Sequence, residues 1–241
     1  TVRGSLTALS DTGGITQNGP LTVAGAATIN SGTSATTLAN ASNTFNGAVS
    51  LAGAGATITD STPLELGSIS LGTGGLNATS SGSITQSPCT ASSPSTCVPS
   101  STVRVEGTSS LIANGPSSSV ALGGPDNDFV GAVSVAGSGA GGTLNGTVAI
   151  NDTNDLTLGT VKSTGSVTAT ADEALDLGST TAGGNISATA GGSVDLGQTS
   201  TTGNLTATST TGNVSQSGPL TVGGSTSTTA SSGAVLLSDN N

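Results

Sequence analysis

The 241-residue chain has two Phe and no Tyr, Trp or Met, which excludes a round globular core built on large side chains. Thirteen acids stand against Arg3, Arg104 and Lys162, a net charge of −10 that excludes a nucleic-acid surface. No apolar run reaches the roughly eighteen residues of a membrane-spanning helix.

A hydrophobic content of 32% among abundant Gly, Ser and Thr would suit a disordered chain. Two features oppose disorder: charged residues are only 7%, and the apolar residues are regularly spaced among β-branched neighbours. Thr1 opens the chain without a basic and apolar leader, so any secretion signal is expected outside it.

In chain order, the first phrase is ITQNGPLTVAG at 15–25, which returns as VSQSGPLTVGG at 214–224, while SITQS stands at 83–87. NTFNGAVSL at 43–51 matches NDFVGAVSV at 127–135, a shift of 84 that also pairs Leu38 with Leu122 and predicts equivalent inward or corner places for Phe45 and Phe129. Residues 88–101, PCTASSPSTCVPSS, interrupt the pattern, and Pro88, Pro94 and Pro99 predict a loop inserted into the shaft. GSGAGG at 137–142 lacks the strand, helix and Lys of a phosphate cradle and reads as a turn.

From Leu156 the repeat becomes regular: LTLGTVKSTGSVTATADEA, LDLGSTTAGGNISATAGGS, VDLGQTSTTGNLTATSTTGN. Leu156, Leu175 and Val194 are 19 residues apart, and Val167, Ile186 and Leu205 keep the same step. Two apolar tracks in phase predict a solenoid with one repeat per coil. Within each unit, Leu175-Asp176-Leu177 and Ile186-Ser187-Ala188-Thr189 alternate apolar and polar, which is strand period. Glycines at 178, 183, 184, 191 and 192 fall between these short strands, where corners are expected.

The expected fold is all-β: a single parallel β-helix over residues 1–241 with 19–20 residues per coil. About eleven or twelve coils at the sheet spacing of about 4.8 Å make a rod of roughly 55 Å. Residues 4–25 and 203–224 are alike, Leu6 matching Leu205 and Pro20 matching Pro219, and neither terminus reads as a polar cap, so a segment of a longer rod is expected.

The phrases GNLTATSTTGNVSQSGPLTVGG and NDFVGAVSV resemble those of filamentous haemagglutinin-type secreted bacterial exoproteins, exported by two-partner secretion. The resemblance covers most of the chain outside 88–101 and rests on repeat phrasing, not on a catalytic motif. It implies a right-handed helix, the hand also favoured by parallel crossovers in general, forming the stalk of an adhesin that is secreted to the bacterial cell surface. It implies an outer-membrane β-barrel transporter as partner during export. A host receptor, a glycan or end-to-end self-association are further partners in keeping with it, and it names no receptor.

Parallel β-helices also carry polysaccharide lyases and hydrolases, which need paired carboxylates or a basic residue with calcium in a groove. With no His, one Lys and two unclustered Arg, the chain is expected to be no enzyme and to need no cofactor. Asp176 and Asp195, one period apart, are expected in one outward column with Asp172 and Glu173 nearby, while Asp126 and Asp128 flank a turn. Solvated acids account for both groups better than calcium, because neither has the ligand count of a calcium loop.

Thr168 with Thr170, Ser187 with Thr189, and Thr206 with Thr208 are expected to stack as a surface ladder on three coils, with Asn77 and Thr79 in the same column. Such a ladder suits a solvated face. It is also how several ice-binding proteins meet a crystal, so a module for ice or polysaccharide is the alternative function. Cys89 and Cys97 lack the further Cys or His of a zinc site, and in the oxidising compartment that the resemblance implies a loop disulfide between them is expected. N-x-S/T occurs at Asn40, Asn77, Asn145, Asn151, Asn185, Asn204 and Asn213, a pattern that chance supplies often in such a composition.

Overall fold

The computed structural model describes residues 1–87 and 101–237. Among them there is no helix, and hence none long and apolar enough to cross a membrane. Two parallel sheets of 13 and 14 strands run the length of the molecule. One carries a path of successive neighbours from Leu6–Leu9 to Thr226–Ala230, the other from Ile15–Thr16 to Val235–Leu236. Each path has eleven strands, so the described residues form a β-solenoid of about eleven coils.

The 19-residue step is the coil. Leu156 pairs with Leu175, Leu175 with Val194 and Val194 with Val214 on one sheet. Val148, Val167, Ile186 and Leu205 stack on the other. All of these side chains are buried, and the residues between them point outward, as in the buried-exposed alternation of Val167–Ala171. Burying one Val, Leu or Ile contributes about 1.5–3 kcal/mol, so the narrow core gains its stability by repetition. The backbone is satisfied in the same direction: Ile186 N donates to Asn204 O and Leu205 N to Ser225 O, both at 2.9 Å.

The LDLG phrase is a corner. Gly178 and Gly197 have φ of +52° and +51°, and a Cβ on either would collide with the carbonyl oxygen of Leu158 or Gly178 in the preceding coil. Asp176 Oδ1 accepts from Gly178 N at 2.8 Å and Asp195 Oδ1 from Gly197 N at 3.1 Å. Thr180 Oγ1 donates to Leu177 O at 2.7 Å and Thr199 Oγ1 to Leu196 O at 2.5 Å, closing the same turn one coil later. The GSGAGG stretch also turns, with an antiparallel bridge between Gly139 and Thr143.

The 84-residue shift behaves differently from the 19-residue step. Val49–Gly53 lies in the 13-stranded sheet and its sequence counterpart Val133–Gly137 in the 14-stranded sheet. From the first of these strands the chain makes three turns, through Leu64–Leu71 and Ile84–Gln86 to Val120–Leu122, and then half a turn more. Matching phrases therefore share a local environment on different sheets. Phe45 and Phe129 are both buried, and so are Leu38 and Leu122.

Candidate functional site

The outward ladder is assembled as the sequence suggests and is longer. Thr168, Ser187, Thr206 and Ser227 stand in one column, with Thr170, Thr189, Thr208 and Thr229 beside them. Column neighbours are about 4.8 Å apart and the two columns about 6.6 Å apart, so the face is a regular grid of hydroxyls. Ser227 and Thr229 escape the sequence reading because Thr226 replaces the aliphatic residue that marks the other coils, where it pairs with Leu205. Above Thr168 and Thr170 the columns change to Ala149 and Asn151. Asn77 and Thr79 do not belong to this face. They stack on the other sheet, between Thr57 and Thr59 on one side and Ser110 and Ile112 on the other.

Asp176 and Asp195 are register partners, as their spacing requires, and Thr157 and Ser215 extend the column. They are half-buried corner residues that accept from glycine amides, not freely solvated acids. A shallow groove passes over them, lined also by Asp155, Leu156, Leu175 and Ser193. Asp128 is likewise engaged: Arg104 Nε donates to its Oδ2 at 3.0 Å and Asn154 Nδ2 to its Oδ1 at 3.2 Å. Arg104 also reaches Glu106 at 3.1 Å in an exposed pair screened by solvent. Cys89, Cys97 and the disulfide expected between them lie outside the described residues.

A set of buried polar side chains is invisible in the sequence. Asn43 and Asn127 are fully buried. Asn43 exchanges two hydrogen bonds with Gln17, at 2.7 and 2.8 Å, and donates to Leu38 O at 3.0 Å. Asn127 repeats this with Gln86, at 2.7 and 3.0 Å, and donates to Leu122 O at 3.1 Å. Two residues beyond each Asn, the Phe amide is held by a buried carboxylate: Phe45 N by Asp60 at 3.4 Å and Phe129 N by Asp152 at 2.8 Å.

Burial raises the pKa of both carboxyl groups, against the lowering effect of their hydrogen bonds, and for Asp152 the neighbouring Asp128 and Asp155 charges add to the rise. Asp60 Oδ1 accepts from Thr62 N at 2.9 Å and Thr62 Oγ1 at 2.8 Å, while its buried Oδ2 has no partner among the described residues. In a sequence so rich in small polar letters, these six residues carry no mark that separates them from the solvated ones. The one available signal is that Gln and Asn recur in the ITQ and N-x-F phrases.

What the geometry offers chemically is a periodic polar surface over a mostly aliphatic interior. The comparison with known families agrees with the repeats. The family described as repeats of unknown function (DUF5649) matches residues 1–52, 53–136 and 183–241, more than half of the chain. The second match is the 84-residue stretch that ends on Ala136, beside the NDFVGAVSV phrase. No curated protein and no solved structure matches.

Proposed function

This chain belongs to the DUF5649 family of repeats, and on that footing we propose that it is a structural stalk of a secreted bacterial adhesin, exposed at the cell surface and without catalytic activity. The observation that carries the reading is the stack of about eleven coils among the described residues, with register shifts between Val49 and Leu51 and between Val133 and Val135, in which inward positions are mostly aliphatic and outward positions mostly small and polar. Residues spent in this way give length and stiffness. The repeat phrasing that resembles filamentous haemagglutinin-type exoproteins supports export by two-partner secretion through an outer-membrane barrel, and a right-handed coil.

The test is excision of residues 175–193, one coil by register, from the protein on the surface of its producing cells. Attachment is expected to persist on a shaft shorter by about 5 Å. Loss of attachment with the fold intact would place the binding function on the coil and end the stalk reading.

The hydroxyl grid favours a second reading, a module that docks on a repetitive surface such as ice or polysaccharide. Thermal hysteresis and ice-recrystallisation assays separate the two. A stalk gives no activity in either, whereas activity abolished by Thr189→Lys and Thr208→Lys would establish the second reading.

A further inference from the structure

Gln17 and Gln86 occupy the same place in the ITQ phrase, Gln17 directly after the strand Ile15–Thr16 and Gln86 as the last residue of the strand Ile84–Gln86, each bonded amide to amide with a buried Asn of the next coil. What differs is the corner that follows. In the first case one residue, Asn18, separates the Gln from Gly19, whose carbonyl accepts from Gln17 Nε2 at 2.5 Å. In the second, residues 87–100 separate Gln86 from Ser101, whose carbonyl accepts from Gln86 Nε2.

Two residues further on the chains coincide again. Leu21 N donates to Asn43 Oδ1 at 2.9 Å, and Val103 N donates to Asn127 Oδ1 at 3.0 Å. The chain thus re-enters the stack at one fixed point whether one residue or fourteen intervene in sequence. Ser101 Oγ donates to Ser87 O at 2.8 Å, which joins the described residues on either side of 88–100.

We infer that the Gln–Asn pair marks an insertion site, a corner at which the solenoid carries an added peptide segment without disturbing its coils. The same pair closes the stack after the one-residue step at Gln17 and after the fourteen-residue separation at Gln86. Among the described residues, each donor and acceptor it uses belongs to the stack or to the re-entry residue. Below the pair, the Phe amide held by buried Asp60 or Asp152 fixes the next corner and gives the Asn a rigid seat. The inference concerns how the shaft accommodates a segment and holds for either functional reading above.

The experiment uses the full chain and two reciprocal changes. Replacing residues 87–100 with a single Asn copies the corner after Gln17, and the β circular dichroism is expected to survive. Gln86→Ala is then compared in both backgrounds by urea unfolding. With the segment present it is expected to raise the unfolding constant about tenfold, and after excision by clearly less. Conversely, residues 88–100 put in place of Asn18 should leave the urea midpoint nearly unchanged, while the same insert between Thr164 and Gly165, a corner without the pair, should lower it. Loss of β structure on excision, an equal Gln86→Ala effect in both backgrounds, or equal damage by the insert at both corners would each overturn the inference.

Discussion

Ile186 lies inside the stack, buried between Val167 and Leu205, and neither of these row neighbours is polar. Ile186→Asp would place an unpaired carboxyl there and is expected to cost several kcal/mol, about what an unbonded buried polar group costs. A mutant that melts like the parent would contradict the assigned face. Ser109 offers the opposite case. Its buried Oγ has no partner among the described residues, so Ser109→Ala should stabilise the fold by about 1 kcal/mol, measured by urea unfolding.

The buried carboxyl groups at 60 and 152 give a pH dependence whose sign follows from burial. Because their folded pKa values are raised, the folded protein retains protons that the unfolded chain has released. Their contribution to stability is therefore complete below the ordinary carboxyl range and is lost as pH rises through the raised values. In Asp60→Asn the dependence of the urea midpoint on pH, followed from about 4 upward, should flatten. An unchanged slope would mean that Asp60 ionises as freely in the fold as in water.

At the scale of the coil, the corners are the sensitive points. Gly178→Ala forces a left-handed residue to carry a Cβ, at a cost of about 1–2 kcal/mol, and drives that atom against the Leu158 carbonyl. Thermal melting should show the loss, while Gly13→Ala, at an ordinary φ and with Ser10 Oγ at 3.2 Å from the added atom, should show much less.

The strands and their step were readable because inward aliphatics such as Leu156, Leu175 and Val194 recur where the coil returns, and only that recurrence keeps the core dry. The half-turn offset of the 84-residue phrase was not readable. Identical letters report the same local packing, and Phe45 and Phe129 do share it, but they are silent on which sheet receives them. The burial of Asn43 and Asn127 against half-buried Gln17 and Gln86 was hidden for another reason. An amide in a Ser- and Thr-rich chain looks solvated until its partner on a neighbouring coil is known. The full ladder stayed hidden because Thr226 broke the aliphatic track by which coils were counted.

For the molecule as a whole, cohesion between coils comes from two sources with the same direction, the aliphatic rows and the backbone bonds from one turn to the next. Both lie along the long axis. Pulling on the two ends therefore loads these contacts one after another, and the outermost turn peels away while the others stay intact. Each release of 19 residues, the register step of the regular region, would free about 65 Å of extended chain, which single-molecule stretching would record as evenly spaced force drops. On the stalk reading, a stack that released its turns in this way would yield under load in small instalments and dissipate a tug.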